Sequence, residues 1–288
     1  MLYLKLILMA VLWSGIFPAV RVLLQSMGVF TAVFLRFGIA ALILLVVLRW
    51  RQGRLPRLTP RELVLVVGLG LLGITLYNTL FNAGLERVDA SRAALIVPTN
   101  PAVTALFAAL FLKERLGRAR AVGVVLSVSG ALWVLCRGDP LAFASLRFGL
   151  GELFLVLCVF AWSAYTLLGR VALSTLSPLA LAAYVMTAGA VTMAVPAALE
   201  ASPLAQVTWQ SWAALAYLVV CGTVAPFIWY YEGVKALGAA RAAQFINLVP
   251  PLAVTESVLL LGEPVTRALL VGAVLVVAGL YFTNKPRR

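Results

Sequence analysis

The chain has no histidine, so no step in its function rests on an imidazole as acid, base or ligand. Charge is scarce as well. Only 11% of the residues are Asp, Glu, Lys or Arg, where an ordinary soluble domain carries roughly a quarter. Cysteine is limited to Cys136, Cys158 and Cys221, in or at the ends of apolar segments and without metal-ligand spacing. These read as buried thiols acting as small hydrophobes. No metal and no organic cofactor is implied. Acidic residues number ten against 23 basic ones, and no nucleophile is seen with a base to activate it, so an enzyme is not expected.

What the chain has in abundance is apolar length. Of its 288 residues 63% are hydrophobic, and the mean hydropathy is +1.04. Apolar stretches of about 20 residues recur, each long enough to cross roughly 30 Å of hydrocarbon. They lack strict alternation and are about twice too long for barrel strands. The expected fold is all-α and polytopic, with ten transmembrane helices near 3–24, 29–48, 63–83, 90–112, 119–136, 150–170, 178–199, 211–232, 240–261 and 267–283. The stretch Leu4 to Leu24 is nearer a full span than a signal core.

The net charge of +13 does not point to nucleic acid, because the basic residues sit in short loops where they set orientation. With the N-terminus in the cytoplasm, sixteen Lys and Arg fall on that side and six on the other, with Arg36 left inside helix two. The chain is therefore expected in the plasma (inner) membrane with both termini cytoplasmic. Its partners are the lipid bilayer and a small-molecule substrate, and ten helices suffice to enclose a path, so a monomer is expected.

Displaced by 149 positions, the chain falls on its own image. Trp13-Ser14 lands on Trp162-Ser163, Gly73 on Gly222, Arg92-Ala93-Ala94 on Arg241-Ala242-Ala243, Pro101 on Pro250 and Glu114 on Glu263. One transporter domain over 1–288 is thus expected, made of repeat one at 3–136 and repeat two at 150–283, with a seam at 137–149. Five spans per repeat is odd, so the second repeat starts on the opposite side and is inverted. Inverted repeats are the geometric basis of alternating access.

Polar and aromatic side chains inside spans mark the candidate substrate site. Helices one and six carry Trp13, Ser14, Trp162, Ser163 and Thr166, which line a cavity or serve close helix packing. Helices three and eight carry Tyr77, Asn78, Phe81, Asn82, Trp229 and Tyr230. Tyr77 and Phe81 are four apart and share a face; the competing reading is an interfacial aromatic belt. Helices four and nine hold Thr99, Asn100, Gln244 and Asn247 at breaks made by Pro98, Pro101, Pro250 and Pro251. A proline there frees backbone polar groups inside the membrane, and Pro101 and Pro250 are also candidate hinges. Gly123, Gly130, Gly272 and Gly279, with Ser127, form small-residue packing stripes.

Glu114 and Glu263 end helices four and nine, where capping or a loop ion pair is the ordinary role. Arg36 and Glu256 lie inside spans, and nothing in the sequence links them. Helix one holds no carboxylate, which argues for a facilitative or weakly coupled carrier with a neutral cavity. Where the copies differ, Tyr77 against Pro226 and Asn100 against Val249, an asymmetric substrate would be read.

The doubled Trp-Ser pairs, Leu35-Arg36-Phe37 in helix two, and Leu112-Lys113-Glu114 with Leu261-Gly262-Glu263 resemble the EamA repeats of the drug/metabolite transporter superfamily. Within it the chain looks most like YddG-type exporters of aromatic and other apolar amino acids. The resemblance implies a ten-helix basket whose cavity is lined by helices one, three, four, six, eight and nine. It implies export of amino acids with aromatic or large apolar side chains. Small multidrug members of the superfamily use a glutamate in helix one. The sequence here reads Ala10-Val11-Leu12-Trp13-Ser14, so their cation exchange is not carried over. A sugar-phosphate or nucleotide-sugar carrier is the first alternative, weakened because Arg36 is the sole cation inside a span. A non-transporting scaffold is the second.

Overall fold

The structure is a computed structural model and describes residues 2–100, 103, 118–136, 138–139, 149–237 and 245–283. All regular structure among these residues is helical. In the first part, α1 covers Leu2–Leu23, α2 Val29–Gln52, α3 Pro60–Leu85, α4 Ala90–Ile96 and α5 Arg118–Leu135. In the second, α6 covers Leu150–Ala172, α7 Pro178–Glu200, α8 residues 209–237, α9 Val249–Leu261 and α10 Arg267–Thr283. Among the described residues five helices are long and apolar enough to cross a membrane: Leu2–Leu23, Val29–Gln52, Pro60–Leu85, Pro178–Glu200 and Trp209–Tyr230. Shorter apolar helices occupy Ala121–Val134, Leu150–Tyr165, Val249–Leu261 and Arg267–Gly279. Leu42, Val46, Leu199, Leu259 and Val274 point outward and are exposed, an apolar surface suited to lipid.

Local chemistry sets the helix ends. Thr59 and Glu62 form a capping box ahead of α3, with Pro60 in the first turn where its missing N–H costs nothing. Ser177 caps α7 through the N–H of Ala180 at 3.3 Å, and Thr208 caps α8 through that of Ser211 at 3.3 Å. Two further caps come from far along the chain. The Glu200 carboxylate accepts the N–H groups of Phe30 at 3.1 Å and Thr31 at 2.8 Å at the start of α2. Glu263 accepts that of Ala90 at 2.7 Å at the start of α4. Carboxylates suit these positive helix termini, and α9 is thereby tied to α4. Helix two extends past its expected end to Gln52 and stops where Gly53 takes φ 70°, a left-handed value natural to glycine.

Two features of the long helices differ from the expectation of plain α-helix. α3 widens into a π-helical segment at Gly70–Leu76, and α8 does so at Val220–Val224. A widened turn displaces backbone carbonyls from their usual partners. Asn78 Nδ2 supplies Gly73 O and Ile74 O, each at 3.0 Å. On α8 the Thr223 hydroxyl donates to Leu218 O at 2.8 Å.

The proline breaks are compact turns. Val97–Thr99 is a single 3-10 turn after α4, and Phe245–Leu248 is one before α9. The α-helical part of the ninth segment therefore begins at Val249, and Pro250 falls in its first turn rather than in its interior. The remainder of the expected fourth helix lies outside the described residues.

α2 lies along α7, and α5 along α10; α3 packs on α6 and α7, α1 on α8 and α9, and α4 on α9. At the α5–α10 contact a Cβ on Gly130 would meet Gly272 O at 2.9 Å, and one on Gly279 would meet Gly123 O at 2.7 Å. The small residues let the backbones touch, which is how helices gain contact where lipid removes the hydrophobic drive.

Candidate functional site

The aromatic residues expected at the site fall into two groups. Trp162 of α6 packs on Tyr77 of α3 at 4.9 Å between ring centroids and on Tyr165 at 5.1 Å. Tyr77 stacks on Phe81 at 5.9 Å with the planes 7° apart, as their four-residue spacing requires. Phe17 of α1 meets the edge of Phe81 at 5.5 Å. The second group is smaller: Trp13 of α1 contacts Phe227 at 5.8 Å and Tyr230 at 5.7 Å on α8. Both tryptophans are partly buried. Trp229 is partly buried too, but it has no ring contact among the described residues and joins neither group.

Glycine makes the first group possible. A Cβ on Gly73 would collide with the ring of Tyr165, its second and third nearest atoms lying at 2.5 and 2.9 Å. The π segment thus brings bare backbone against an aromatic face. Tyr165 was not among the residues expected at the site, although its place three after Trp162 was a readable signal.

The polar residues divide differently. Asn78 is buried and its amide is committed to the π turn. Asn82 and Asn100 are buried, and the Oδ1 of each has no hydrogen-bond partner among the described residues. Thr99 is buried and donates to Ile96 O at 2.7 Å. Ser163 is buried and donates to Val159 O at 2.9 Å. Gln244 and Pro101 lie outside the described residues, as do the side chains of Thr166 and Asn247.

Two charged residues left without a role in the sequence enter here. Arg36 is buried on α2, and its Nε donates to Thr223 Oγ1 at 3.1 Å. Its guanidinium lies 4.9 Å from the Phe37 ring centroid, with Tyr77 and Tyr217 within electrostatic reach. The same hydroxyl of Thr223 that fills the π turn of α8 thereby fixes the arginine. Arg36 and Glu256 do not pair. Glu256 of α9 meets Ser14 instead, with Oε1 2.8 Å from the Ser14 hydroxyl. Beside it the Tyr217 hydroxyl donates to Leu12 O at 2.8 Å, and a Cβ on Gly15 would strike the Tyr217 ring and hydroxyl. Sequence separation hid these contacts, since no local pattern joins α1 to α8 or α9.

Similar proteins place this arrangement. The model of the EamA-like transporter family matches residues 1–136 and again 149–285. A Bacillus subtilis protein described as the uncharacterized transporter YyaM is 30% identical over 247 residues, 85% of this chain and 81% of its own. A Streptantibioticus cattleyicolor protein described as "Probable terminal-alkyne amino-acid exporter" is 29% identical over 282 residues, 97% of this chain and 92% of its own. An uncharacterized transporter of Archaeoglobus fulgidus is 27% identical, covering 98% of this chain and 96% of that protein. A solved crystal structure superposes with a TM-score of 0.66 at 20% identity, over 97% of this chain and 96% of the other, which shows a shared fold. By the two family matches and these near full-length relatives, the chain belongs to the EamA-like transporter family and is a multi-pass membrane transporter of that type.

Proposed function

We propose that this transporter exports amino acids with aromatic or large apolar side chains, in the manner of the YddG-type members. The observation that carries the reading is the Trp162–Tyr77–Phe81 group, with Tyr165 and Phe17 around it. Ring faces at 5–6 Å form a surface that holds a flat apolar side chain through stacking and edge contacts. Polar groups adjoin it: Arg36, within electrostatic reach of Tyr77, suits a carboxylate. Asn82 and Asn100 supply amide oxygens for an ammonium. The Streptantibioticus relative, described as a probable terminal-alkyne amino-acid exporter, favours amino acids as the substrate class.

In this reading ten spans form two inverted five-helix repeats, 3–136 and 150–283, joined by a seam at 137–149. The family model matching twice supports the duplication, as do the π segments and 3-10 turns at corresponding places. α1 and α6 rock between inward- and outward-facing states, with Pro101 and Pro250 as hinge points. Both termini are cytoplasmic, the membrane is the plasma (inner) membrane, and the carrier works as a monomer.

The test is efflux from proteoliposomes loaded with labelled phenylalanine or tryptophan. Loss faster than from protein-free vesicles, and faster than for labelled glycine, is expected. Equal leak of every amino acid together with flux of a phosphorylated sugar overturns the assignment.

A further inference from the structure

The Ser14 hydroxyl has one proton and two acceptors. Its oxygen lies 2.7 Å from Val11 O, the carbonyl three residues back on α1, and 2.8 Å from Glu256 Oε1. A serine hydroxyl donates once but also accepts. If the carboxyl is ionised, one of these two short contacts joins a pair of acceptors with no hydrogen between them. If the carboxyl is protonated, both contacts are hydrogen bonds in series: Glu256 Oε1–H donates to Ser14 Oγ, and Ser14 Oγ–H donates to Val11 O. The second case makes both short contacts hydrogen bonds.

The surroundings agree. Glu256 Oε2 is shielded and has no hydrogen-bond partner among the described residues. An ionised carboxylate oxygen left so would carry a large desolvation cost. Six other acids meet a cation or the start of a helix. Glu86 pairs with Arg87, Glu152 with Arg92 and Glu232 with Lys5, while Glu62, Glu200 and Glu263 bind backbone N–H groups. Glu256 meets a neutral hydroxyl.

No salt bridge joins Glu256 to a cation among the described residues. From α1 come Tyr3, which packs on Phe245, Lys5, bound to Glu232, and Arg21, bound to Leu85 O and Val88 O. α4 brings Arg92, paired with Glu152, and α10 brings Arg267 and Tyr281 near its two ends. α8 places Tyr217 within electrostatic reach of Glu256, and that hydroxyl is given to Leu12 O. Arg36 is held by Thr223 on the α2–α8 side.

The repeat isolates the feature further. Displacement by 149 puts Ser14 on Ser163 and Glu256 on Phe107. Ser163 donates to its own helix at Val159 O, and the position that corresponds to Glu256 in the first half holds phenylalanine in place of an acid.

We propose that Glu256 is a proton-binding site of this carrier, closed on Ser14 when protonated, and that its protonation cycle couples transport to a pH gradient. The proton leaves Oε1 for water when α9 separates from α1, and the bonding pair stays on the carboxylate. Ser14 then keeps its single hydrogen on Val11 O, within its own helix. Rebinding a proton from the other side of the membrane restores the closed pair. The coupling half rests on the amino-acid reading above, whereas the protonation half does not.

The experiment has two arms on the purified full chain in proteoliposomes. The first is an infrared difference titration with pH and no substrate. Wild type is expected to show the C=O band of a protonated carboxyl that disappears as pH rises. Glu256→Gln should lack this band, and Ser14→Ala should move it to the higher frequency of a less hydrogen-bonded acid. A band that survives in Glu256→Gln, or that Ser14→Ala leaves in place, overturns the site. The second arm imposes a one-unit pH gradient on labelled phenylalanine. Wild type should accumulate it by up to about tenfold, the ratio of proton activities across one unit for one-to-one exchange. Glu256→Gln should give no accumulation. Wild-type flux that ignores the gradient overturns the coupling. Absence of movement of any amino acid would instead overturn the substrate assignment, leaving the infrared arm to decide Glu256.

Discussion

Trp162 and Trp13 occupy matching places in the sequence, yet they sit in different company. Trp162 meets Tyr77 and Tyr165, with Phe81 and Phe17 behind them. Trp13 meets Phe227 and Tyr230, and its neighbour Ser14 faces Glu256. The α3–α6 side is therefore the more aromatic, with Arg36 within reach of Tyr77, while the α1–α8–α9 side pairs a smaller ring group with an acid. Pro226 in place of Tyr77 thins the second aromatic group, and Phe107 in place of Glu256 leaves the first repeat without the acid.

The matched glycines test this division most severely. Gly73→Ala drives a methyl group into the Tyr165 ring, and overpacking of that kind costs about 2–3 kcal/mol. Gly222→Ala meets Ile16 Cγ1 at 3.2 Å and an Arg36 nitrogen at 3.5 Å, both on side chains, and should cost below about 1 kcal/mol. Thermal unfolding in detergent should separate the pair clearly. Equal midpoints would show that the aromatic side is no tighter than its counterpart.

Thr223→Val comes next. It removes the acceptor of Arg36 Nε and the donor to Leu218 O together. Leaving a buried donor unsatisfied costs about 1–2 kcal/mol, read in the same unfolding assay, and the freed arginine should raise the KM for substrate. An unchanged midpoint and KM would remove Arg36 from the site.

Trp162→Ala should lower phenylalanine efflux about tenfold, near 1.4 kcal/mol, the scale of aromatic contacts beyond their area. Trp209→Ala is the control. Trp209 opens α8 and is 74% exposed. Its removal should change stability by less than about 0.5 kcal/mol. Similar flux losses from both would make Trp162 a packing residue.

The smallest effect is expected from the matched serines. Ser163→Ala loses the bond to Val159 O on its own helix, a contact worth below about 0.5 kcal/mol because such back-bonding adds little to a helix. Ser14→Ala strips Glu256 of its neighbour as well and should cost about 1 kcal/mol. Equal melting shifts would contradict the asymmetry between the two sides.

Much of the frame was readable in the sequence because it is local. Tyr77 and Phe81 stack as their spacing requires, and Gly130, Gly272 and Gly279 mark the α5–α10 contact. Glu263 caps a helix, one of the two roles its position allowed. The π segments were not readable, since a widened turn leaves no mark beyond ordinary glycines and a threonine. Nor was the placement of Pro250 at a helix start, which depends on the 3-10 turn before it. Tyr217 and Thr223 were missed because their partners Leu12 and Arg36 lie on other helices, whereas Tyr165 stands three after Trp162 on the same helix and could have been read.

Composition and periodicity by themselves determined an all-helical membrane chain, because a lipid environment admits few ways to satisfy a backbone and apolar length reports it directly. The 149-residue echo was likewise a property of the sequence alone. Only the tertiary structure decided what each charge inside that frame meets. Arg36 and Glu256 lay on separate helices with no pattern to join them, and folding gave one to Thr223 and the other to Ser14. The pairing of isolated polar groups depends on which helix faces which, over separations of about 190 and 240 residues, and no periodicity within a single helix encodes that choice.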